Sequence, residues 1–171
     1  VVKEGRIQIK QYYEPTSKPH FETFADTKAH VKYLVEDAIQ RQSEGCDATF
    51  LSGGLDSSII AAVLAKQERP LYTYSLDYEG NAQNFKGNQY QVSLDQEFIE
   101  AMRKQCGSEH TQLMITQQEL ADALKAAMCA RELPGMGDVD SALLWLCQQV
   151  KQDRSVIMSG ECSDEVFGGY P

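Results

Sequence analysis

The sequence predicts an α/β domain with a Rossmann-like parallel sheet flanked by helices. Three observations lead there. Four short runs, "DATFL", "LYTYSL", "HTQLMI" and "SVIMS", are rich in β-branched and aromatic residues and punctuate the chain. Between them lie longer segments whose apolar residues recur at helical spacing on a single face. The runs are nearly continuous in character rather than alternating, which suits parallel strands covered on both faces and joined by right-handed crossovers.

The elements follow in order. "GRIQIKQYY" alternates loosely before Pro15 and Pro19, and this predicts a short strand followed by an extended connection. From Asp26 the pattern is helical, with Val31, Leu34, Val35, Ala38 and Ile39 on one stripe. Asp47–Leu51 reads as a buried strand. "SSIIAAVLAKQ" reads as the helix after it, closed off by Pro70. Leu71–Leu76 is the second strand of the sheet. Residues 77–92, "DYEGNAQNFKGNQYQV", have no apolar period and predict a long loop, a kind of segment that in a compact domain is usually functional. Mobility and closure of this loop over a ligand are part of that expectation.

Ser93 and Gln96 match a capping box, with Leu94, Phe98 and Met102 along the face that follows. His110–Ile115 is the next strand. Thr116 and Glu119 match a second capping box ahead of Leu120, Ala123, Leu124, Ala127 and Met128. Asp138 is the expected cap of another helix, whose Val139, Ala142, Leu143, Leu146, Cys147 and Val150 share a face. Ser155–Ser159 is the expected fourth strand. The resulting order is β-α-β-α-β-α-α-β.

Composition narrows the function classes. The 171 residues carry 42% hydrophobic and 24% charged side chains and a net charge of −9, ordinary for a soluble globular domain. No cluster of lysine or arginine occurs, so nucleic acid is not an expected partner. No apolar run has the length to cross a bilayer, and the start of the chain lacks a signal-peptide hydrophobic region, so no membrane partner is expected either. The five cysteines show no CxxC spacing. Cys106, Cys129 and Cys147 fall in helical segments among apolar residues, where a thiol packs as a small hydrophobe. A reducing, cytoplasmic setting is expected. The three histidines are scattered, with no zinc pattern.

The chemistry concentrates in two stretches. "LSGGLDSS", Leu51 to Ser58, lies where a strand becomes a helix. In a parallel sheet ligands bind outside the carboxyl ends of strands. Gly53 and Gly54 permit unusual dihedrals and leave room beside the backbone. The unpaired N–H groups of the helix start favour an anion such as phosphate, and Ser52, Ser57 and Ser58 offer hydroxyls. Asp56 would repel that anion unless a cation lies between them, and Mg2+ bridging to a polyphosphate resolves the conflict. The alternative is that Asp56 only caps the helix and the glycines only serve the turn. The Gly-Lys-Ser/Thr ending of the common P-loop is absent.

The second stretch is "SGECSDEVFGGYP", Ser159 to Pro171, at the end of the fourth run. Glu161, Asp164 and Glu165 would repel one another without a cation. An exposed acidic turn with no ligand is the competing reading.

The first motif resembles the pyrophosphate loop of the ATP-pyrophosphatase superfamily, Ser-Gly-Gly-x-Asp-Ser, whose members cleave ATP between its α- and β-phosphates and transfer AMP to an oxygen. The pair of motifs resembles the synthetase domain of asparagine synthetase, which carries Ser-Gly-Gly-Leu-Asp-Ser-Ser and, later, Ser-Gly-Glu-Gly-Ser-Asp-Glu with Phe-Gly-Gly-Tyr. The likeness runs from roughly residue 20 to the end, with "GSEH" a weaker match between the motifs. It implies an adenine nucleotide alpha hydrolase-like fold and a division into a linker over 1–20 and a nucleotide-binding portion over 21–171.

By that resemblance Ser52, Gly53, Gly54, Asp56, Ser57 and Ser58 would grip pyrophosphate. Leu51, Leu76, Ser159 and Gly160 would line the adenosine pocket, Asp56 and Asp164 would hold Mg2+, and Glu161 would support formation and capture of an aspartyl-adenylate. ATP and aspartate would be the substrates, ammonia would come from a glutaminase domain in cis, and a homodimer is one assembly open to such a protein. β-Lactam synthetase shares both motifs and forms an intramolecular amide, which is an alternative outcome. Nucleotide binding without turnover is another. Three departures stand out. Cys162 replaces the motif's usual glycine, the sequence as given begins at Val1 without the glutaminase that the resemblance implies, and it ends at Pro171 just beyond the second motif. These lead to the expectation that the sequence is a piece of a longer synthetase, inactive in isolation.

Overall fold

The computed structural model describes residues 2–87 and 94–168. The chain divides into a unit of residues 1–34 and a unit of residues 35–171.

The first unit opens with a hairpin. Strand β1 (Val2–Lys3) pairs antiparallel with β2 (Arg6–Ile7), with Val2 opposite Ile7 and Lys3 opposite Arg6. The turn residues Glu4 and Gly5 both have positive φ, 52° and 71°, as a two-residue turn of matching twist requires. The segment therefore folds back on itself, where one strand and an extended connection were expected. Helix α1 (Phe24–Gln42) begins ahead of Asp26 because Thr23 caps it. The Thr23 hydroxyl accepts from the Asp26 N–H at 3.2 Å and donates to the Asp26 carboxylate at 2.6 Å. The stripe expected along α1 is buried only late. Val31 and Leu34 are exposed, whereas Ile39, in the second unit, enters the core.

The second unit is built on a parallel sheet of order β3-β4-β5, from Ala48–Phe50, Tyr72–Tyr78 and Glu109–Ile115. Ala48 stands beside Tyr72 and Tyr72 beside Glu109. Helix α2 (Leu55–Leu64) follows β3, a short α3 (Asn81–Asn84) and then α4 (Gln96–Cys106) follow β4, and α5 (Gln117–Arg131) and α6 (Gly137–Val150) follow β5. One face buries Leu51, Ile60, Leu64, Leu71 and Ile99 with Ile39. The other packs Ala48 and Tyr74 against Leu146 and Val150 of α6. Both faces are covered, as the near-continuous strands require. Truncating Leu64, which is 2% exposed, would cost about 2–5 kcal/mol.

The fourth run does not form a strand. Met158 makes a single parallel bridge to Thr49, with its N–H donating to Ala48 O at 2.9 Å and its carbonyl accepting from Phe50 N–H at 3.0 Å. Strand β3, three residues long, pairs along its whole length with β4, whereas on its other edge, among the described residues, only Met158 reaches it. Residues 77–92 are more ordered at their start than expected. Strand β4 runs to Tyr78 and α3 follows, while the remainder of that expected loop from residue 88 lies outside the described residues. Ser93, half of one expected capping box, also lies outside them, and α4 has Asp95 at its N-cap. The Thr116–Glu119 box is formed in both directions. Helix α6 starts at Gly137 with Met136 at its N-cap, so Asp138 sits in the first turn rather than capping it, where its charge still complements the helix dipole.

All five cysteines are free. Cys106 packs against the core, but Cys129 and Cys147 are exposed, contrary to expectation, because they fall just off the buried positions Ala127 and Leu146. Among the described residues no helix is long and apolar enough to cross a membrane.

Candidate functional site

The corner after β3 is built by Gly53. Its φ of +86° lies in the left-handed region, and a Cβ there would meet the Asp95 carbonyl at 2.9 Å and the Phe98 Cβ at 3.2 Å. Only glycine meets both demands, the turn and the close approach of α4. Gly54 differs from the expectation of unusual dihedrals at both glycines. It has φ −71° and ψ 165°, ordinary extended backbone, because as the N-cap of α2 it needs only to leave the helix. No side chain caps α2, and the N–H groups of a helix's first turn have no partner within the helix.

The three serines divide their work. The Ser57 hydroxyl is buried, accepts from Ser52 N–H at 3.2 Å and donates to Gly54 O at 3.2 Å. Ser58 Oγ donates to the same carbonyl at 2.7 Å. Ser57 therefore braces the corner from within, and the half-buried Ser58 braces it from its rim. Ser52 is exposed, and its Oγ accepts from Gly54 N–H at 3.3 Å and lies 3.0 Å from Ser57 Oγ. Of the three, Ser52 is the one presented to solvent.

The acidic motif docks onto this corner. A Cβ built on Gly160 would stand 3.0 Å from Asp56 Cβ, 3.2 Å from Ser57 N and 3.3 Å from Asp56 C. The backbone after Met158 thus lies against the first turn of α2. Beyond it, Ser159 Oγ accepts from Glu161 N–H at 3.3 Å, and Ser163 Oγ donates to Gly160 O at 2.7 Å. Asp164 and Glu165 stand in the first turn of the short helix α7 (Ser163–Phe167). Cys162 precedes it with φ +69° and ψ +11°, the backbone region that favours glycine. That conformation accounts for the glycine at this place in the motif it resembles. Gly169, Tyr170 and Pro171 lie outside the described residues.

A cleft of about 680 Å³ opens beside the corner. Leu51, Ser52, Leu76 and Glu161, all singled out in the sequence, line it. Gly53, Gly54, Asp56, Ser57, Ser58, Ser159, Gly160 and Asp164 do not. They sit on the corner and the loop docked to it. The cleft also takes in Asp77, Asn81, Gln96 and Gln112, which sequence reasoning passed over. Their signal was weak, since polar residues inside an expected loop or on a strand carry no spacing rule. Tyr78, another lining residue, has its phenol pushed up by burial and by the neighbouring Asp138 and Asp77 carboxylates.

Beneath the cleft runs a polar seam. His110 Nδ1 lies 2.9 Å from Thr73 Oγ1 and its Nε2 lies 3.1 Å from Ser75 Oγ, with Ser108 Oγ 3.0 Å beyond Thr73 Oγ1. Burial, with a smaller effect from the Arg103 charge, holds the imidazole below its usual pKa. Among the described residues no group of three or more His, Cys, Asp and Glu side chains is arranged for a metal ion.

Fold and site together define an α/β protein with its candidate ligand site at the carboxyl edge of a parallel sheet, where a glycine corner and an acidic loop meet. The chain belongs to the asparagine synthase family, whose model matches residues 30–171. It is 45% identical over 176 residues to asparagine synthetase [glutamine-hydrolyzing] 3 of Bacillus subtilis, covering 99% of this chain and 28% of that protein. Asparagine synthetase [glutamine-hydrolyzing] 1 of the same organism is 27% identical, over 98% of this chain and 25% of its own length. The human asparagine synthetase [glutamine-hydrolyzing] is 29% identical, over 96% of this chain and 29% of its own. The chain spans less than a third of the length of these relatives.

Proposed function

We propose that this chain forms the nucleotide-binding portion of an ATP-dependent asparagine synthetase. The reaction would adenylate the side-chain carboxylate of aspartate, release pyrophosphate, and then form the amide with ammonia derived from glutamine. The observation that carries this reading is the seating of Gly160 on Asp56 and Ser57, which joins the two motifs into one site. The 45% identity to a relative named as a glutamine-hydrolysing asparagine synthetase supports it.

Each residue then has a physical task. The Gly53 N–H and the first turn of α2, with Ser52 and the Gly54 N–H that its hydroxyl accepts from, bind the β- and γ-phosphates that leave as pyrophosphate. Ser57 and Ser58 keep the corner in shape. Leu51, Leu76, Ser159 and Gly160 bound the adenosine. Glu161, on the cleft wall, takes a proton from the attacking ammonium as the amide forms. Asp56 and Asp164 would hold Mg2+. Two carboxylates suit an ion that keeps several waters and binds through one or two carboxylates plus substrate phosphates, and a larger preformed cluster is not needed. When bound, Mg2+ neutralises charge on the polyphosphate. Residues 21–171 would make up the nucleotide-binding portion and residues 1–20 a linker to a glutaminase domain. The five free cysteines support a reducing, cytoplasmic setting.

Calorimetric titration tests the site. The protein should bind ATP in an Mg2+-dependent manner, and Asp56→Asn should abolish that dependence with an unchanged circular dichroism spectrum. Normal MgATP binding by the variant overturns the metal assignment. In a pyrophosphate-release assay aspartate should be required, and release driven by another carboxylate would redirect the substrate.

A further inference from the structure

The run that carries the acidic loop is held to the sheet by few atoms. Met158 makes its single bridge, to Thr49, while Ile157 and Met158 pack partly buried against the two cores of the sheet. Apolar packing is non-directional, so it keeps the run on the sheet without fixing how far along β3 the run lies. Register is critical here. A slip of one residue would carry Gly160 about 3.3 Å along the strand direction and turn Met158 to the opposite face. The seat it would leave is tight, since a Cβ on Gly160 would stand 3.0 Å from Asp56 Cβ.

A side chain supplies the missing direction. Thr49, in the middle of β3, is 0% exposed. Valine has the same shape and would fill this place without burying a hydroxyl, which is costly unless the hydroxyl is bonded. Thr49 Oγ1 shares its one proton between Phe50 O at 3.1 Å and Met158 O at 3.2 Å. Met158 O also accepts from Phe50 N–H at 3.0 Å, so two donors from β3 occupy both lone pairs of that carbonyl. The bond to Phe50 stays within the strand, and the bond to Met158 grips the chain just ahead of Gly160 and Glu161. Cys46 Sγ lies 3.6 Å from Val156 O, but a thiol is a weak donor.

We propose that Thr49 is a positioning residue for the site at the carboxyl edge of the sheet. Through Met158 O its hydroxyl sets the register at which Gly160 seats on Asp56 and at which Glu161 and Asp164 are presented. Thr49 is sealed from solvent, so it acts on a ligand only through the loop. Its effect on nucleotide rests on the ATP reading above, and its effect on the loop does not.

Two pairs of side chains separate the hydroxyl from packing. Thr49→Val exchanges the hydroxyl for a methyl of the same shape, and Thr49→Ser and Thr49→Ala differ from each other only in the hydroxyl. In calorimetric titration Thr49→Val and Thr49→Ala should weaken MgATP about tenfold, the scale of one hydrogen bond. Thr49→Ser should bind MgATP as the wild type does, even where loss of the methyl lowers its urea midpoint. Without ligand, hydrogen exchange at the Met158 and Glu161 amides should quicken about tenfold in the Val and Ala variants and stay unchanged across β4 and β5. Should Thr49→Val not fold, the Ser and Ala variants decide between themselves. Wild-type MgATP affinity in Thr49→Val, or a loss in Thr49→Ser equal to that in Thr49→Ala, overturns the proposal. Faster exchange spread through β4 and β5 overturns it too, because Thr49 would then be a general stabiliser. A wild type that binds no MgATP overturns the nucleotide reading alone, and loop exchange then judges Thr49.

Discussion

Gly160 lies so close to Asp56 that a Cβ at position 160 would stand 3.0 Å from the Asp56 Cβ. The neighbours it would meet include the Ser57 nitrogen at 3.2 Å and the Asp56 carbonyl carbon at 3.3 Å, and backbone cannot swing away as a side-chain tip can. Gly160→Ala should therefore push the acidic loop off the glycine corner, at a cost of about 1–3 kcal/mol. The expected result is a lower urea midpoint together with weaker MgATP binding. A variant with wild-type values in both measurements would show that the two loops need not touch.

Cys162 supports the opposite change. At φ +69° a residue with a Cβ is strained by about 1–2 kcal/mol, against a smaller entropic cost for glycine. Cys162→Gly should raise stability by about 1 kcal/mol, and Cys162→Ala should not. Denaturant titration of the three proteins decides this, and equal gains in both variants would point to the thiol rather than the backbone.

His110 sets a pH dependence. Burial, its largest influence, lowers its folded pKa below the ordinary 6.5. The unfolded chain then binds the proton more readily, and stability rises with pH between the folded and unfolded values. The contribution is complete above pH 6.5 and diminishes as pH falls below it. Urea midpoints at pH 7.5 and 5.5 should differ for the wild type, and His110→Asn should reduce that difference. An unchanged difference in the variant would exclude His110 as the source.

The elements that were legible in the sequence share a cause. The capping box at Thr116 and Glu119, the β3–α2 junction at "SGG" and the strand at His110–Ile115 depend on residues a few positions apart, and local sequence records such interactions directly. The run at Ser155–Ser159 was less legible. Its composition suits a strand, but whether a ladder forms depends on how the run meets its neighbour, and only Met158 of this run bridges to β3. Cys129 and Cys147 carry a similar lesson. A helical stripe identifies a face, but the partner element determines how wide the buried part of that face is.

The site divides along the same line. Motif spacing alone brought "LSGGLDSS" and "SGECSDE" forward as candidates and ordered them along an α/β chain, because glycine and carboxylate at strand ends have few other uses. Which hydroxyl turns inward and how Gly160 seats on Asp56 were decided by tertiary structure. Each of these rests on short-range forces between atoms that the chain brings together only when the sheet closes, and no local pattern encodes that distance.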